Sequence, residues 1–119
     1  IQTFGYKRGI PLDADLVFDV RMLPNPFYIA ELRNLTGNDA EVQDYVMKFQ
    51  DSLSYYERLL DMVEFLIPLC IKEKRAQLVV AIGCTGGQHR SVTFGNLLAH
   101  TLKERGRTAS VYHRELSGQ

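Results

Sequence analysis

Within the eight positions Cys84-Thr-Gly-Gly-Gln-His-Arg-Ser91 the chain carries a thiol, two hydroxyls, two adjacent glycines, an imidazole and a guanidinium. The apolar run Leu78-Val-Val-Ala-Ile82 leads into them, and a helical pattern opens at Ser91. Glycine tolerates backbone angles and close approaches that side chains forbid, so Gly86 and Gly87 let several N–H groups crowd around one point. A helix start adds unpaired N–H groups and the positive end of its dipole. Arg90 adds planar donors that match phosphate oxygens. The chemistry implied is anion binding, phosphate above all. The candidate ligand-binding residues of this stretch are Cys84, Thr85, Gly86, Gly87, Gln88, His89, Arg90 and Ser91. The alternative is a plain strand–turn–helix connection whose glycines only satisfy turn geometry.

Cys84 and Arg90 are also spaced as Cys-x5-Arg, the spacing of the phosphate loop of cysteine-dependent phosphatases. There a thiolate attacks phosphorus while the arginine holds the phosphoryl oxygens, and a helix start with a cation would lower the thiol pKa. The match is partial. Position 83 is Gly, where tyrosine phosphatases carry His, and none of Asp13, Asp15 and Asp19 is marked as the general acid. Catalysis with Cys84 as nucleophile is therefore the alternative reading, a small buried residue at a strand end is the plainer one, and no catalytic residue is assigned.

Further residues are candidates for the same site. Asp19-Val-Arg21 leaves an apolar run with opposite charges, so Arg21 can reach an anion while Asp19 orients it or accepts a sugar hydroxyl. A local ion pair of little energetic weight is the alternative. Asn25 stands between Pro24 and Pro26, with a fixed backbone and a side chain able to bond a polar ligand, though the prolines can simply shape the loop. His89 can donate to a phosphate or titrate near neutral pH. His100 reads as structural, and the Tyr55-Tyr56 pair as core or helix-interface residues. No zinc or iron spacing and no Walker motif of the form G-x4-G-K-[ST] is present.

The elements that position these residues follow from pattern. Ile1–Tyr6 mixes β-branched and aromatic residues and predicts a short strand. Leu16–Val20 predicts a strand buried on both faces. Arg21–Gly37 is long and irregular, which in a compact domain points to function. Asn38 or Asp39 caps a helix from Ala40 to about Phe49, its face made by Val42, Tyr45, Val46 and Phe49. A second helix starts at Asp51 or Ser52, carries an apolar stripe from Tyr56 to Cys70, and is predicted to kink at Pro68. Gln77–Cys84 predicts a strand with helices on both sides. Ser91–Arg105 predicts a helix stopped by Gly106, and Thr108–His113 a last strand. Strands alternating with helices imply a layered α/β fold with a mostly parallel four-stranded sheet, ligand site at the strand carboxyl ends.

The 119 residues make one domain, with 45% hydrophobic and 24% charged residues, ordinary values for a soluble globular chain. Lys+Arg and Asp+Glu are 14 each, so a bulk pull toward nucleic acid is absent and RNA binding would need a local basic patch. Lys7, Arg8, Arg33, Arg105, Arg107 and Arg114 are the RNA-binding candidates. Cys70 and Cys84 fit neither a disulfide framework nor a metal site, which points to a reducing cytoplasm. The chain shows no signal-peptide pattern and no run long enough to span a membrane. It opens without Met inside an extended segment, which reads as a piece of a longer protein whose N-terminal part is missing.

Phe4-Gly-Tyr-Lys-Arg-Gly-Ile-Pro11, Asp13-Ala-Asp-Leu-Val-Phe-Asp-Val-Arg21, Leu23-Pro-Asn-Pro26, Leu35-Thr-Gly37 and Ile82-Gly-Cys-Thr-Gly-Gly-Gln-His-Arg-Ser-Val92 together resemble the C-terminal domain of the RapZ/YvcJ family. The resemblance spans nearly the whole chain. It implies an N-terminal P-loop domain, absent here, that binds ATP and GTP, and a homo-oligomeric assembly. It implies a C-terminal domain that senses glucosamine-6-phosphate, with Asp19, Arg21, Thr85, Gly86, Gly87, His89 and Arg90 at the phosphosugar. In enterobacterial members this domain also binds a small regulatory RNA and presents it for RNase E cleavage, which makes it an RNase adapter. Those members end in a Lys/Arg-rich tail, whereas this chain ends Glu115-Leu-Ser-Gly-Gln119.

Overall fold

The computed structural model describes residues 1–116. Four strands form one parallel sheet in the order β2-β3-β1-β4, with β1 at Gln2–Gly5, β2 at Leu16–Asp19, β3 at Val80–Cys84 and β4 at Tyr112–His113. Among the described residues three α-helices accompany the sheet, α1 at Ala40–Met47, α2 at Gln50–Lys72 and α3 at Arg90–Glu104, with short 3-10 turns at Tyr6–Arg8 and Pro26–Tyr28. The layered, parallel α/β architecture expected from the pattern is therefore present.

The layering is one-sided, which corrects the expectation of helices on both sides of the sheet. Val80, Ile82 and Cys84 of β3 share one core with Val42 and Val46 of α1, Leu59 and Val63 of α2, and Phe94, Leu98 and Leu102 of α3. The other face carries Phe4, which lies opposite Gly83 in the ladder. A Cβ at Gly83 would fall 2.4 Å from the Phe4 ring, so the flat aromatic fills the space that side chain would take. Phe4 is fully buried, under the Tyr6 ring at 4.9 Å and the Arg114 guanidinium at 5.6 Å. The chain from Tyr6 to Asp15 must pass β3 to reach β2, and a right-handed crossover in that direction runs over the face away from the helices. The Gln2–Asp13 side-chain hydrogen bond at 3.1 Å ties this segment to β1.

β2 corrects a second expectation. It ends at Asp19 and lies at the sheet edge, and Val17, which pairs with Ala81 on the far face, is 41% exposed rather than buried. β3 and β4 are shorter than predicted because pairing begins late: Leu16 of β2 pairs with Val80, and Gln2 of β1 pairs with Tyr112. Two hydrogen bonds nevertheless carry the β4 ladder outward, Ile1 N to Ser110 O at 2.9 Å and Arg114 N to Thr3 O at 3.0 Å. α2 runs on through Pro68, which is exposed, as far as Lys72. Gly106 ends α3 with φ +83°, a left-handed angle that glycine adopts at little cost.

Candidate functional site

The connections of the sheet fix where a ligand can sit. From β1 the chain travels past β3 to β2, whereas from β3 it travels past β1 to β4. Neighbouring strands whose connections depart in opposite directions open a crevice beyond their carboxyl ends. Here that crevice lies at Gly5 and Cys84, which are paired in register. The Gly86-Gly87 turn folds back onto it. A Cβ on Gly5 would fall 2.6 Å from the Gly86 carbonyl carbon, and Gly87, at φ +75°, would bring one within 2.5 Å of Gly5 N. Only glycine permits this approach of one backbone to another.

The turn leaves its donors unspent. Among the described residues, none of the backbone N–H groups from Gly86 to Val92 has a hydrogen-bond acceptor, and the first bond into α3 is Thr93 N to His89 O at 3.0 Å. Gly86 and Gln88 are exposed, whereas Gly87 and the four residues from His89 to Val92 are buried, so the row opens to solvent at the turn and runs inward from there. This is the arrangement that favours an anion at a helix start.

Arg90 is 4% exposed and is anchored. Its Nη1 donates to the carbonyl oxygens of Arg21 at 2.6 Å and Leu23 at 3.0 Å, while its Nε is buried with no partner among the described residues. His89, 8% exposed, turns Nε2 toward the Arg33 carbonyl at 3.1 Å. The Gly37 N–H donates to Gln88 O at 2.8 Å. Three successive residues of the motif thus hold the long segment 21–37 as a collar around the start of α3. Asn25 lies on that collar, where its Oδ1 caps a short 3-10 turn by accepting from Phe27 N at 3.1 Å.

Asp19 and Arg21 flank the crevice at the end of β2. Arg21 donates Nε and Nη2 to the Asp19 carboxylate, at 2.7 Å for the shortest contact, and lies 3.7 Å over the Tyr6 ring. The bond from Arg21 holds the Asp19 carboxyl below its usual pKa against the opposing effect of burial. Tyr55 donates its hydroxyl to the Asp19 backbone oxygen at 2.7 Å, and burial, with the nearby Asp19 charge, pushes that phenol up to about 12. Arg21 is half-exposed and rigidly braced, which suits a side chain waiting at the rim of a ligand site.

Cys84 is 2% exposed and belongs to the apolar core, its thiol donating to Ser91 Oγ at 3.2 Å. A nucleophile needs the opposite setting, an accessible thiolate in an electropositive environment. The six basic candidates divide. Arg8 and Arg114 meet at Glu115, beside Lys7, at the carboxyl ends of the strands. Arg105 and Arg107 follow the far end of α3, roughly 22 Å along a helix of this length, where Arg105 pairs with Glu64 at 3.8 Å. Arg33 bonds the Phe27 carbonyl at 2.9 Å. A cavity of 720 Å³ opens at that far edge, between Ile1, Leu78, Arg107 and Tyr112, and takes in no other predicted site residue. Among the described residues there is no cluster of three metal-binding side chains and no helix long and apolar enough to cross a membrane.

Glu115 and Gly5 are the residues of this site that the sequence pattern did not mark. A glycine between two aromatic residues at the end of a strand segment, Phe4-Gly5-Tyr6, was the available signal for Gly5, and nothing local singled out Glu115.

Comparison with known proteins agrees with the motif. The chain matches the model of the RapZ C-terminal domain over residues 1–117. A nucleotide-binding protein of Thermoanaerobacter sp. strain X514 is 59% identical over 116 residues, 98% of this chain and 41% of that protein. Nucleotide-binding proteins of Caldanaerobacter subterraneus subsp. tengcongensis and Clostridium novyi are each 56% identical, over 98% of this chain and 41% and 40% of theirs. The chain spans about two fifths of the length of these relatives. By its motif and by these matches the chain belongs to the RapZ C-terminal domain family.

Proposed function

We propose that this domain is a ligand sensor that binds a phosphorylated amino sugar, glucosamine-6-phosphate or a close analogue, through the Gly86–Val92 amide row. The row of N–H groups at the β1–β3 crevice, without acceptors among the described residues, carries the reading. Arg21 and Asp19 stand at the rim with the charges that a phosphate and a sugar hydroxyl require. The domain acts by binding rather than by catalysis, since its one site thiol is buried in the core. The whole protein joins this sensor to a P-loop domain that binds ATP or GTP. The relatives' names and their additional length support that assignment. The protein works as a cytoplasmic homo-oligomer.

An RNase-adapter role follows from the family resemblance. On this chain its footing is the Lys7, Arg8 and Arg114 group, because the other basic candidates lie elsewhere. Phosphate-driven RNA binding weakens steeply with salt, so a gel shift across a salt series reports on it directly.

Calorimetric titration with glucosamine-6-phosphate tests the sensor. Gly86 is the position to change, because a Cβ there meets nothing within 4 Å. Gly86→Asp sets a carboxylate beside the amide row and abolishes binding, while glucosamine without phosphate does not bind the wild type. Equal affinity of wild type and Gly86→Asp removes the site.

A further inference from the structure

The chain has placed an anion of its own at the edge of the cradle. Glu115 follows β4, and its Oε2 accepts from Gly5 N at 3.0 Å and from Arg114 Nε and Nη2 at 2.9 and 2.6 Å. Arg8 Nε approaches Oε1 at 4.0 Å. One backbone N–H and one guanidinium fork are the donors a bound carboxylate or phosphate would receive. The Glu115 side chain is only 6% exposed. It presses on the glycine turn, since a Cβ on Gly87 would fall 2.5 Å from Glu115 Cγ. The carboxylate, the Gly5 amide and the Gly86-Gly87 turn therefore form one contact set beside the crevice, on the β4 side of β1. Burial alone would raise this carboxyl, but the hydrogen bonds from Arg114 and Gly5 outweigh it and keep the group below its usual pKa.

We propose that Glu115 is an intramolecular competitor for the anion site: its carboxylate holds the Gly5–Arg114 part of the cradle and leaves when a phosphomonoester binds. This rests on the anion-binding reading above. A doubly charged phosphate on the amide row and a carboxylate packed against the same turn repel each other, and burial of the Glu115 carboxylate limits the screening between them. Departure of Glu115 relieves that repulsion and frees the Gly5 N–H and Arg114 Nε for phosphate oxygens, while Arg114 Nη2 stays tied to the Gly9 carbonyl at 2.8 Å. Arg114, Glu115 and Leu116 then occupy one position in the empty domain and another in the liganded one. Ligand occupancy is thereby passed to whatever contacts these residues.

The test is a nitrogen-15 NMR titration with inorganic phosphate on the wild type and on Glu115→Gln, which keeps the side-chain shape and removes the charge. If the site is free of the carboxylate about a tenth of the time, the substitution tightens phosphate binding about tenfold. In the wild type, the Gly5 N–H and Arg114 Nε–H signals move along the same saturation curve as the Gly86 and Gly87 amides. Glu115→Ala shifts affinity in the same direction. Unchanged or weaker binding by Glu115→Gln overturns the proposal. So do Gly5 and Arg114 signals that stay fixed while Gly86 and Gly87 respond, an outcome that leaves the anion site standing. Gly86 and Gly87 amides that respond in neither protein remove the site and the competitor together.

Discussion

Arg90 donates Nη1 to the backbone carbonyl of Arg21 at 2.6 Å, across 69 positions of sequence. The residue read as a phosphate ligand is thus also the tie that fixes where Arg21 leaves β2. Its second bond, to Leu23 O, makes the tie a clamp on two carbonyls of the same turn. Hydrogen bonds from a charged group are worth about 1.5–3 kcal/mol each way they are lost. Arg90→Lys presents a point charge where a planar fork is needed and should cost about 2–3 kcal/mol in urea unfolding. A loss below about 0.5 kcal/mol, the level of an ordinary surface change, would show that the clamp carries no stability.

The two glycines of the turn should behave differently. Gly87→Ala meets both a left-handed φ of +75° and the Gly5 backbone nitrogen at 2.5 Å, which is too rigid to withdraw. It should lose about 1–3 kcal/mol or more. Gly86→Ala has open space and should stay within about 0.5 kcal/mol of wild type. Equal thermal shifts for the two variants would mean that the turn does not rest on Gly5.

His113 sets a pH dependence. The ring is 3% exposed, with Nδ1 at 2.8 Å from Thr3 Oγ1 and Nε2 at 2.8 Å from Asn96 Oδ1. Burial lowers its pKa from the usual 6.5. The unfolded chain therefore takes up the proton first as pH falls. The native advantage of the neutral ring is whole above about pH 6.5 and is lost progressively below it, down to the depressed native pKa, by at most about 1.4 kcal/mol per pH unit. The carboxyls of Asp15, Asp19 and Glu115, all held below their usual values, add their own losses at lower pH. Guanidinium unfolding at a series of pH values should show the histidine step, and His113→Gln should remove it. A wild-type profile that is flat between pH 6.5 and 5 contradicts this assignment.

The two thiols should differ in reactivity. Cys70 is partly exposed on α2, whereas Cys84 is buried beneath the turn with its hydrogen bond to Ser91. Iodoacetamide should modify Cys70 first and reach Cys84 only as the domain unfolds, as expected of a buried structural thiol. Faster labelling at Cys84, followed by mass spectrometry, would restore the case for a nucleophile.

The sequence by itself determined the strand–glycine–helix unit, the parallel α/β class and the chemistry offered at Gly86–Ser91. Those features depend on neighbours along the chain: apolar period, turn glycines and a helix start. Only the tertiary structure decided what the side chains hold. Val17 is half-open because β2 is an edge strand and every helix packs on one face. Arg90 binds the collar because the loop after β2 is laid across the start of α3. Glu115 reaches Gly5 from 110 positions away because β4 runs beside β1. Strand order sets which distant residues meet, and it follows from how the whole chain buries its core.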